Sequence, residues 1–198
     1  MMRDMDLRHD EMSSGNRLPT STSDKRPKTS LQSNDDFTRE ALQVHNDLRR
    51  KHGVEPLRLN ADLSKLAQQW GKRHLSLPTS SLIFFSISAN HLASTGALVH
   101  SKTKYRNSQV GENLYCQSRP TAGREMTEAW YNEHRQYDYN NRRAYQSGTG
   151  HFTQLVWKNS QEVGFAQAQG RSMHYTVAMY YPPGNYLGEY EKNIFPPH

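Results

Sequence analysis

The sequence predicts an α+β fold built in three layers. Two amphipathic helical patterns occupy residues 36–52 and 60–70, and a strand pattern and a third helical pattern follow them. Two β-prone segments come last, joined by a short turn. Because strands and helices interleave while the last two strands are consecutive, we expect an antiparallel pair packed against helices.

The first helical pattern repeats apolar positions at a spacing of three or four residues. Asp35 or Asp36 is a suitable N-cap, and the helix should end near His52-Gly53, just before Pro56. One face of this predicted helix carries its inner residues, namely Phe37, Ala41, Val44, His45 and Leu48.

The second helix should be capped by Asn60 and should place an apolar stripe against the core. That stripe consists of Leu63, Leu66, Ala67 and Trp70. Further along, Val110–Cys116 predicts a strand and Glu125–Tyr137 predicts a helix.

The inner positions of the Glu125–Tyr137 helix should be Met126, Ala129, Trp130 and His134. The final hairpin should pair residues 162–169 with residues 173–181 through Gly170-Arg171.

The chain divides by composition into a tail and one domain. Residues 1–35 are rich in Ser, Thr, Asp, Asn, Lys and Arg, which predicts a disordered N-terminal tail. Residues 36–198 then form the domain, which is long enough to bury a core. Residues 76–92 interrupt it with a proline and many serines, between the repeated dipeptides His74-Leu75 and His91-Leu92. We interpret this segment as an atypical insertion, either a gene-model extension or a lineage-specific loop.

The formal charge of +6 belongs to the domain, because the tail holds six basic and six acidic residues. The basic residues form short clusters on different predicted elements, and no recognition-helix or RNA-binding signature accompanies them. We therefore expect no nucleic-acid partner. A solvated basic surface and attraction to an anionic membrane surface both remain open.

Cysteine content and the start of the sequence favour a reducing, intracellular setting. Cys116 is the only cysteine, so no intramolecular disulfide can form, and it is expected to be a buried strand thiol. The first residues contain no apolar signal core. Met2 stands where N-myristoylation would need glycine. Secretion by an unconventional route is the alternative.

The most informative stretch of the chain runs from Gly150 to Ser160. It places His151 directly after the glycine-rich turn 147–150 and directly before an apolar run that includes Phe152 and Trp157. An imidazole at that point can face a cleft while the apolar residues anchor the backbone.

This stretch resembles the first signature of the CAP family, the cysteine-rich secretory, antigen 5 and pathogenesis-related 1 proteins. Three further matches follow the family's order. They are a helix motif with His45, Asn46 and Arg49, a strand motif with Gly111, Glu112 and Asn113, and a C-terminal motif with Gly184 and Asn185. The missing leader and the ending Asn193–Pro197 are most similar to the family's Golgi-associated branch. The resemblance implies an α-β-α sandwich with a central antiparallel sheet.

The resemblance also implies a cavity lined by four residues, His100, Glu112, Glu133 and His151. Two imidazoles and two carboxylates are suitable ligands for zinc or another divalent cation, with His100 and His151 as the metal ligands. The competing interpretation is a purely structural set, in which each glutamate accepts a hydrogen bond from a histidine.

Catalysis is the less favoured interpretation. A His–Glu pair can act as a general base, but the sequence contains no nucleophile elbow and no H-E-x-x-H helix. In the Golgi-associated branch, the resemblance implies a Ser-His-Glu arrangement across a dimer, which would use Ser118 with His100 and Glu112. Ser118 is otherwise an ordinary turn residue.

We therefore expect a non-enzymatic domain that binds lipid or an anionic membrane surface. The basic excess and the tyrosines at 131, 137, 139 and 145 would serve that role at an interface. The alternatives are a hydrolase that uses the four cavity residues and a protein-interaction domain with a structural cavity. We expect an intracellular protein, cytoplasmic or peripheral on Golgi or other membranes, and a homodimer remains an open alternative.

Overall fold

The computed structural model describes residues 34–72, 100–170 and 173–198, with the backbone alone for residues 70–72. The predicted insertion at 76–92 and the predicted tail up to residue 33 lie outside these ranges. Residues 34 and 35, which we assigned to the tail, belong instead to the first helix.

Helix α1 (Asn34–Lys51) forms where the first apolar pattern predicts it. Its apolar stripe is buried. Asp35 and Asp36 lie in its first turn and not at the N-cap position that we predicted, because the helix already begins at Asn34; there their carboxylates favour the positive end of the helix dipole. The chain leaves α1 through Gly53, which has a φ of 64°. Only glycine adopts that angle without strain, so the predicted end of the helix is confirmed.

Helix α2 (Ala61–Lys72) is capped as predicted by Asn60. The Oδ1 atom of Asn60 accepts hydrogen bonds from the backbone N–H groups of Asp62 at 2.8 Å and Leu63 at 3.0 Å. These bonds satisfy amides that have no partner inside the helix. Leu63 and Ala67 are fully buried and Leu66 packs against the same core, so these three positions of the predicted stripe are confirmed. The side chain of Trp70, the fourth, lies outside the described part.

The central sheet has four strands in the order β1-β5-β6-β4. Its strands are β1 (Arg58–Leu59), β4 (Gly111–Gln117), β5 (Glu162–Gln169) and β6 (His174–Tyr181). The predicted hairpin forms, with Glu162 opposite Tyr181 and Gln169 opposite His174. The sheet is mixed, not wholly antiparallel, because the short β1 pairs with β5 in parallel. A separate small hairpin joins β2 (Lys104–Tyr105) to β3 (Ser108–Gln109).

Both faces of the sheet are covered, which makes the fold a three-layer sandwich. Alternate residues of β6 show it: Ala178 and Tyr180 pack in the core with α1, whereas Val177 and Met179 pack in the core with α2. A strand exposes successive side chains to opposite faces, so each face builds its own core. Gly164 in β5 allows α2 to approach closely, because a Cβ there would lie 2.2 Å from the Ser64 nitrogen.

The third helical pattern is shorter than predicted. Helix α3 (Gly123–Tyr131) begins two residues before the expected Glu125, and the chain continues as a 3₁₀ helix over Asn132–Gln136. The early start brings Gly123 against α1, where a Cβ would lie 2.4 Å from the Phe37 carbonyl oxygen. Two short helices complete the fold, α4 (Gly150–Leu155) and α5 (Tyr190–Asn193).

The tyrosines expected at the surface are largely inside. Tyr137 is buried, Tyr131 and Tyr139 are half-buried, and only Tyr145 is exposed. Tyr131, Tyr137 and Tyr139 surround Phe152, whose ring lies 5.5 Å from that of Tyr137. Cys116 is partly exposed, although we expected a buried thiol.

Candidate functional site

Glu112 holds the segment that carries His100. Its side chain is 5% exposed, and its Oε1 atom accepts hydrogen bonds from the backbone N–H of Ser101 at 3.0 Å and from the His100 ring Nδ1 at 3.1 Å. The hydrogen bond to the carboxylate raises the pKa of His100 above its ordinary value. The Oε2 atom of Glu112 is buried and has no hydrogen-bond partner within the described residues.

Glu133 holds His151 in the same manner, from the 3₁₀ helix. Its Oε1 atom lies 2.6 Å from the His151 Nδ1 atom. Its Oε2 atom accepts the backbone N–H groups of His151 at 2.9 Å and Phe152 at 3.0 Å. One carboxylate therefore binds both the ring of His151 and the first turn of α4. The His151 ring also stacks on Trp130, with a centroid distance of 6.2 Å.

The four predicted cavity residues thus form two His–Glu pairs, both connected to the start of β4. Asn113, next to Glu112, donates from its Nδ2 atom to the His151 carbonyl oxygen at 3.0 Å. Glu112 and Asn113 are successive strand residues, so their side chains leave opposite faces of β4. Both pairs match the structural interpretation, in which each histidine ring is oriented by a carboxylate.

The same geometry limits what the residues can offer a metal. Each histidine uses Nδ1 for its glutamate, which is how proteins orient a metal-binding imidazole, and Nε2 forms no hydrogen bond within the described residues. However, no three His, Cys, Asp or Glu side chains of the described chain form a metal-binding group. A structural zinc site normally has four protein ligands and a catalytic one has three. The described residues therefore fit zinc only in part.

Ser118 lies away from both pairs. It follows the last residue of β4 and is exposed. Six residues separate it from Glu112 along an extended strand, which corresponds to roughly 20 Å. Within one protomer, Ser118 cannot meet His100 and Glu112, so a Ser-His-Glu arrangement would need a second protomer.

The motif residues of α1 serve the architecture. Arg49 is fully buried and donates to the carbonyl oxygens of Glu55, Leu155, Trp157 and Ser160 at 2.8–3.0 Å. Burial lowers its pKa to about 10. Arg49 therefore joins α1 to both ends of the segment that follows His151.

His45 and Asn46 make the other α1 contacts. His45 lies with Nδ1 2.7 Å from the Ala41 carbonyl oxygen and Nε2 2.9 Å from the Tyr180 hydroxyl. Burial lowers its pKa to about 3. Asn46 holds the loop after α1 by bonding both the N–H and the carbonyl oxygen of Leu57.

Gly111 and Gly184 make room for Gln154, a residue that the sequence analysis did not single out. Gln154 is buried, and its Oε1 atom accepts the Gly184 N–H at 2.8 Å. A Cβ on Gly111 would lie 2.1 Å from that oxygen, and a Cβ on Gly184 would lie 2.8 Å from the Trp157 ring. The only signal for Gln154 was its place inside the stretch from Gly150 to Ser160.

Asn185 fastens the C-terminal motif to α4. Its Nδ2 atom donates to the Gly150 carbonyl oxygen at 2.9 Å, and its Oδ1 atom accepts from the Thr153 hydroxyl at 2.7 Å. The φ of Asn185 is 61°, a left-handed conformation that asparagine tolerates better than most residues. These bonds fix the backbone from which His151 projects.

Two relatives resemble the chain over most of its length. Golgi-associated plant pathogenesis-related protein 1 of Homo sapiens is 37% identical over 164 residues, covering 81% of this chain and 94% of the relative. Pathogenesis-related protein 1A of Nicotiana tabacum is 36% identical over 152 residues, covering 75% of this chain and 76% of the relative.

Solved structures support the fold. NaASP2, determined with Zn²⁺, has a TM-score of 0.57 at 20% identity and covers 86% of this chain and 90% of that one. Venom allergen-like protein 4 of Schistosoma mansoni has a TM-score of 0.53 at 18% identity, covering 82% and 96%. The CAP profile, described as the cysteine-rich secretory protein family, matches residues 42–181. The fold, the four motifs and these similarities together place the chain in the CAP family.

Proposed function

We propose that this CAP domain binds anionic membrane surfaces through its charge and carries out no chemistry. The observation that carries the proposal is the set of exposed cations with no ion pair in the described part of the chain. This set comprises Lys51, Arg58, Lys102, Lys104, Arg135, Arg143 and Lys158. Each such residue near an anionic leaflet contributes about 1 kcal/mol.

The depth of attachment would be shallow. None of the helices in the described ranges is long and apolar enough to cross a membrane. Only four large apolar side chains in those ranges are exposed, Leu187 at 81% and Leu59, Tyr145 and Tyr186 near half. Attraction between fixed charges therefore supplies most of the proposed affinity, and added salt should weaken it.

We expect the full-length protein to float with phosphatidylserine-containing vesicles in about 0.1 M salt and to remain at the bottom in about 1 M salt. The screening length falls from about 10 Å to about 3 Å over that range. Phosphatidylcholine vesicles are the control and should not bind in either buffer. Absence of flotation with anionic vesicles at low salt would refute the proposal.

A hydrolase that uses a His–Glu pair is the second candidate, and the geometry at His151 favours it specifically. Glu133 fixes the ring through Nδ1, so Nε2 is available to remove a proton from water or a hydroxyl. A hydrolase of this kind would lose its turnover in the His151→Ala variant. The third candidate function is a protein-interaction domain, in which both His–Glu pairs would be structural.

Zinc enters the proposal as an optional ion, with the Nε2 atoms of His100 and His151 as its ligands. Bound there, it would polarise a water or a lipid oxygen. NaASP2 was determined with Zn²⁺, which supports testing the ion here. Because the described residues offer two imidazoles without a third ligand, we expect vesicle binding to be the same with and without a zinc chelator.

The proposed location is intracellular and peripheral, on the Golgi or another anionic membrane. The name of the human relative, which refers to the Golgi, supports it. Anionic lipid is the proposed partner, and a homodimer would be needed only if Ser118 acts in catalysis.

A further inference from the structure

The segment after His100 presents its charges at alternate positions. Lys102, Lys104 and Arg106 are exposed, whereas the residues between them, Thr103 and Tyr105, are half-buried. An extended backbone turns every second side chain to the same face, with about 7 Å between them. Lys102 and Lys104 therefore share one face, and Arg106 follows them in the β2–β3 turn with a φ of 48°. We call these three cations the basic row.

The intervening residues attach the basic row to the domain. The Ser101 N–H binds Glu112, the Thr103 carbonyl oxygen accepts the Val110 N–H at 3.3 Å, and Lys104 and Tyr105 pair with β3. The Tyr105 hydroxyl accepts a hydrogen bond from Asn60 at 3.0 Å. The backbone of the basic row is thus fixed to the domain at Ser101, at Thr103 and along β2.

Arg106 is oriented at the end of the row. Its guanidinium lies 4.7 Å from the centroid of the Tyr105 ring and 5.4 Å from that of Tyr181. One of its nitrogens lies 3.0 Å from Glu162, whose side chain is only 12% exposed. Stacking on aromatic rings keeps the guanidinium in a fixed direction while leaving it partly open to solvent.

The charge around the row is positive. Arg58 adds a further exposed cation. It lies near Arg106 because both adjoin Glu162 on β5: the Arg58 backbone pairs with Glu162, and the Arg106 guanidinium forms an ion pair with it. The carboxylates that contact this region are Glu112 and Glu162, both of them largely buried. Lys102 and Lys104 form no ion pair with any described residue. An anionic surface can therefore approach these two lysines without displacing an existing partner.

We infer that Lys102, Lys104 and Arg106, with Arg58 beside them, are the docking surface for the phosphate groups of an anionic bilayer. The inference rests on the proposed membrane function and assigns it to one face. Spaced cations on an extended edge can each meet a different headgroup, whereas the remaining unpaired cations lie on other elements. No role in this contact falls on the His–Glu pairs.

The test compares two double variants that remove the same charge. Lys102→Gln with Lys104→Gln neutralises the row, and Arg135→Gln with Arg143→Gln neutralises two exposed cations elsewhere. We expect the first variant to lose about 30-fold in affinity for phosphatidylserine vesicles in about 0.1 M salt, as two cations at the contact imply. The second should lose less than about threefold, because its two charges lie on other elements, outside the proposed contact.

The outcomes separate the two claims. If wild-type protein binds and both variants lose equal affinity, or the Arg135 and Arg143 variant loses more, the basic row is not the docking surface. If wild-type protein does not bind, the membrane function itself fails. Thermal unfolding of each variant checks the fold, which should be unchanged because Lys102, Lys104, Arg135 and Arg143 are all exposed.

Discussion

Replacing Arg49 with methionine is expected to lower the free energy of unfolding by about 4 kcal/mol. The side chain is fully buried, and its guanidinium donates to four backbone carbonyl oxygens. Methionine has a similar length but no donor, so each of those oxygens would lose a partner, and the Trp157 oxygen alone would keep a bond within the described residues, from the Ser160 N–H. Each unsatisfied buried acceptor costs about 1–3 kcal/mol, partly offset by relief of the buried charge. Urea denaturation of the two proteins measures the difference.

Arg50 provides the matched control, because it is the next residue on the same helix. Its side chain is 73% exposed and pairs with Asp47 at 2.9 Å. An exposed pair of this kind contributes less than about 1 kcal/mol. Equal losses for Arg49→Met and Arg50→Met would contradict the role we give to the buried guanidinium.

Acidification is expected to destabilise the domain through His45, by about 2 kcal/mol between pH 7 and pH 5. Burial lowers the folded-state pKa of His45 to about 3, whereas the unfolded value is near 6.5. Above pH 6.5 the ring is neutral in both states and contributes no pH dependence. As the pH falls below 6.5, the unfolded chain takes up a proton that the folded chain excludes, so stability falls.

The His45→Gln variant should show a smaller loss of stability over the same pH range, whatever its stability at pH 7. Burial also lowers the pKa of His52, so part of the acid dependence should remain. An unchanged pH dependence in His45→Gln would show that folding does not lower the pKa of His45.

The helices and the hairpin could be predicted because their signals are local. Asn60 caps α2 by bonding residues two and three positions later, and residues 162–169 pair with 174–181 within one hairpin. The parallel pairing of β1 could not be predicted, because it joins Arg58 to Glu162 across more than a hundred residues of sequence. The 3₁₀ ending of α3 also lacked a local sequence signal. Glu133 in this segment bonds to His151 and Phe152 of α4, which are distant in sequence.

The sequence named the four residues of the candidate site but did not show how they are arranged. Spacing alone could not pair His100 with Glu112 or His151 with Glu133, because each pair joins separate elements. The family motifs supplied the four residues, and the structure shows that they form two separate His–Glu pairs. Likewise, the sequence showed Lys102, Lys104 and Arg106 only as one short basic cluster among several. The structure adds the alternation of exposure, which places Lys102 and Lys104 on one face, and the turn that carries Arg106 after them.

The central claim is that surface charge, and not the His–Glu pairs, carries the function. The most direct measurement is the partition of wild-type protein and the His151→Ala variant onto phosphatidylserine vesicles in about 0.1 M salt, with unfolding temperatures recorded for both. We predict equal partition, because the proposed contact involves charges that remain in the variant. A loss of about tenfold or more by a folded His151→Ala protein would contradict the account and assign the function to the His151–Glu133 pair.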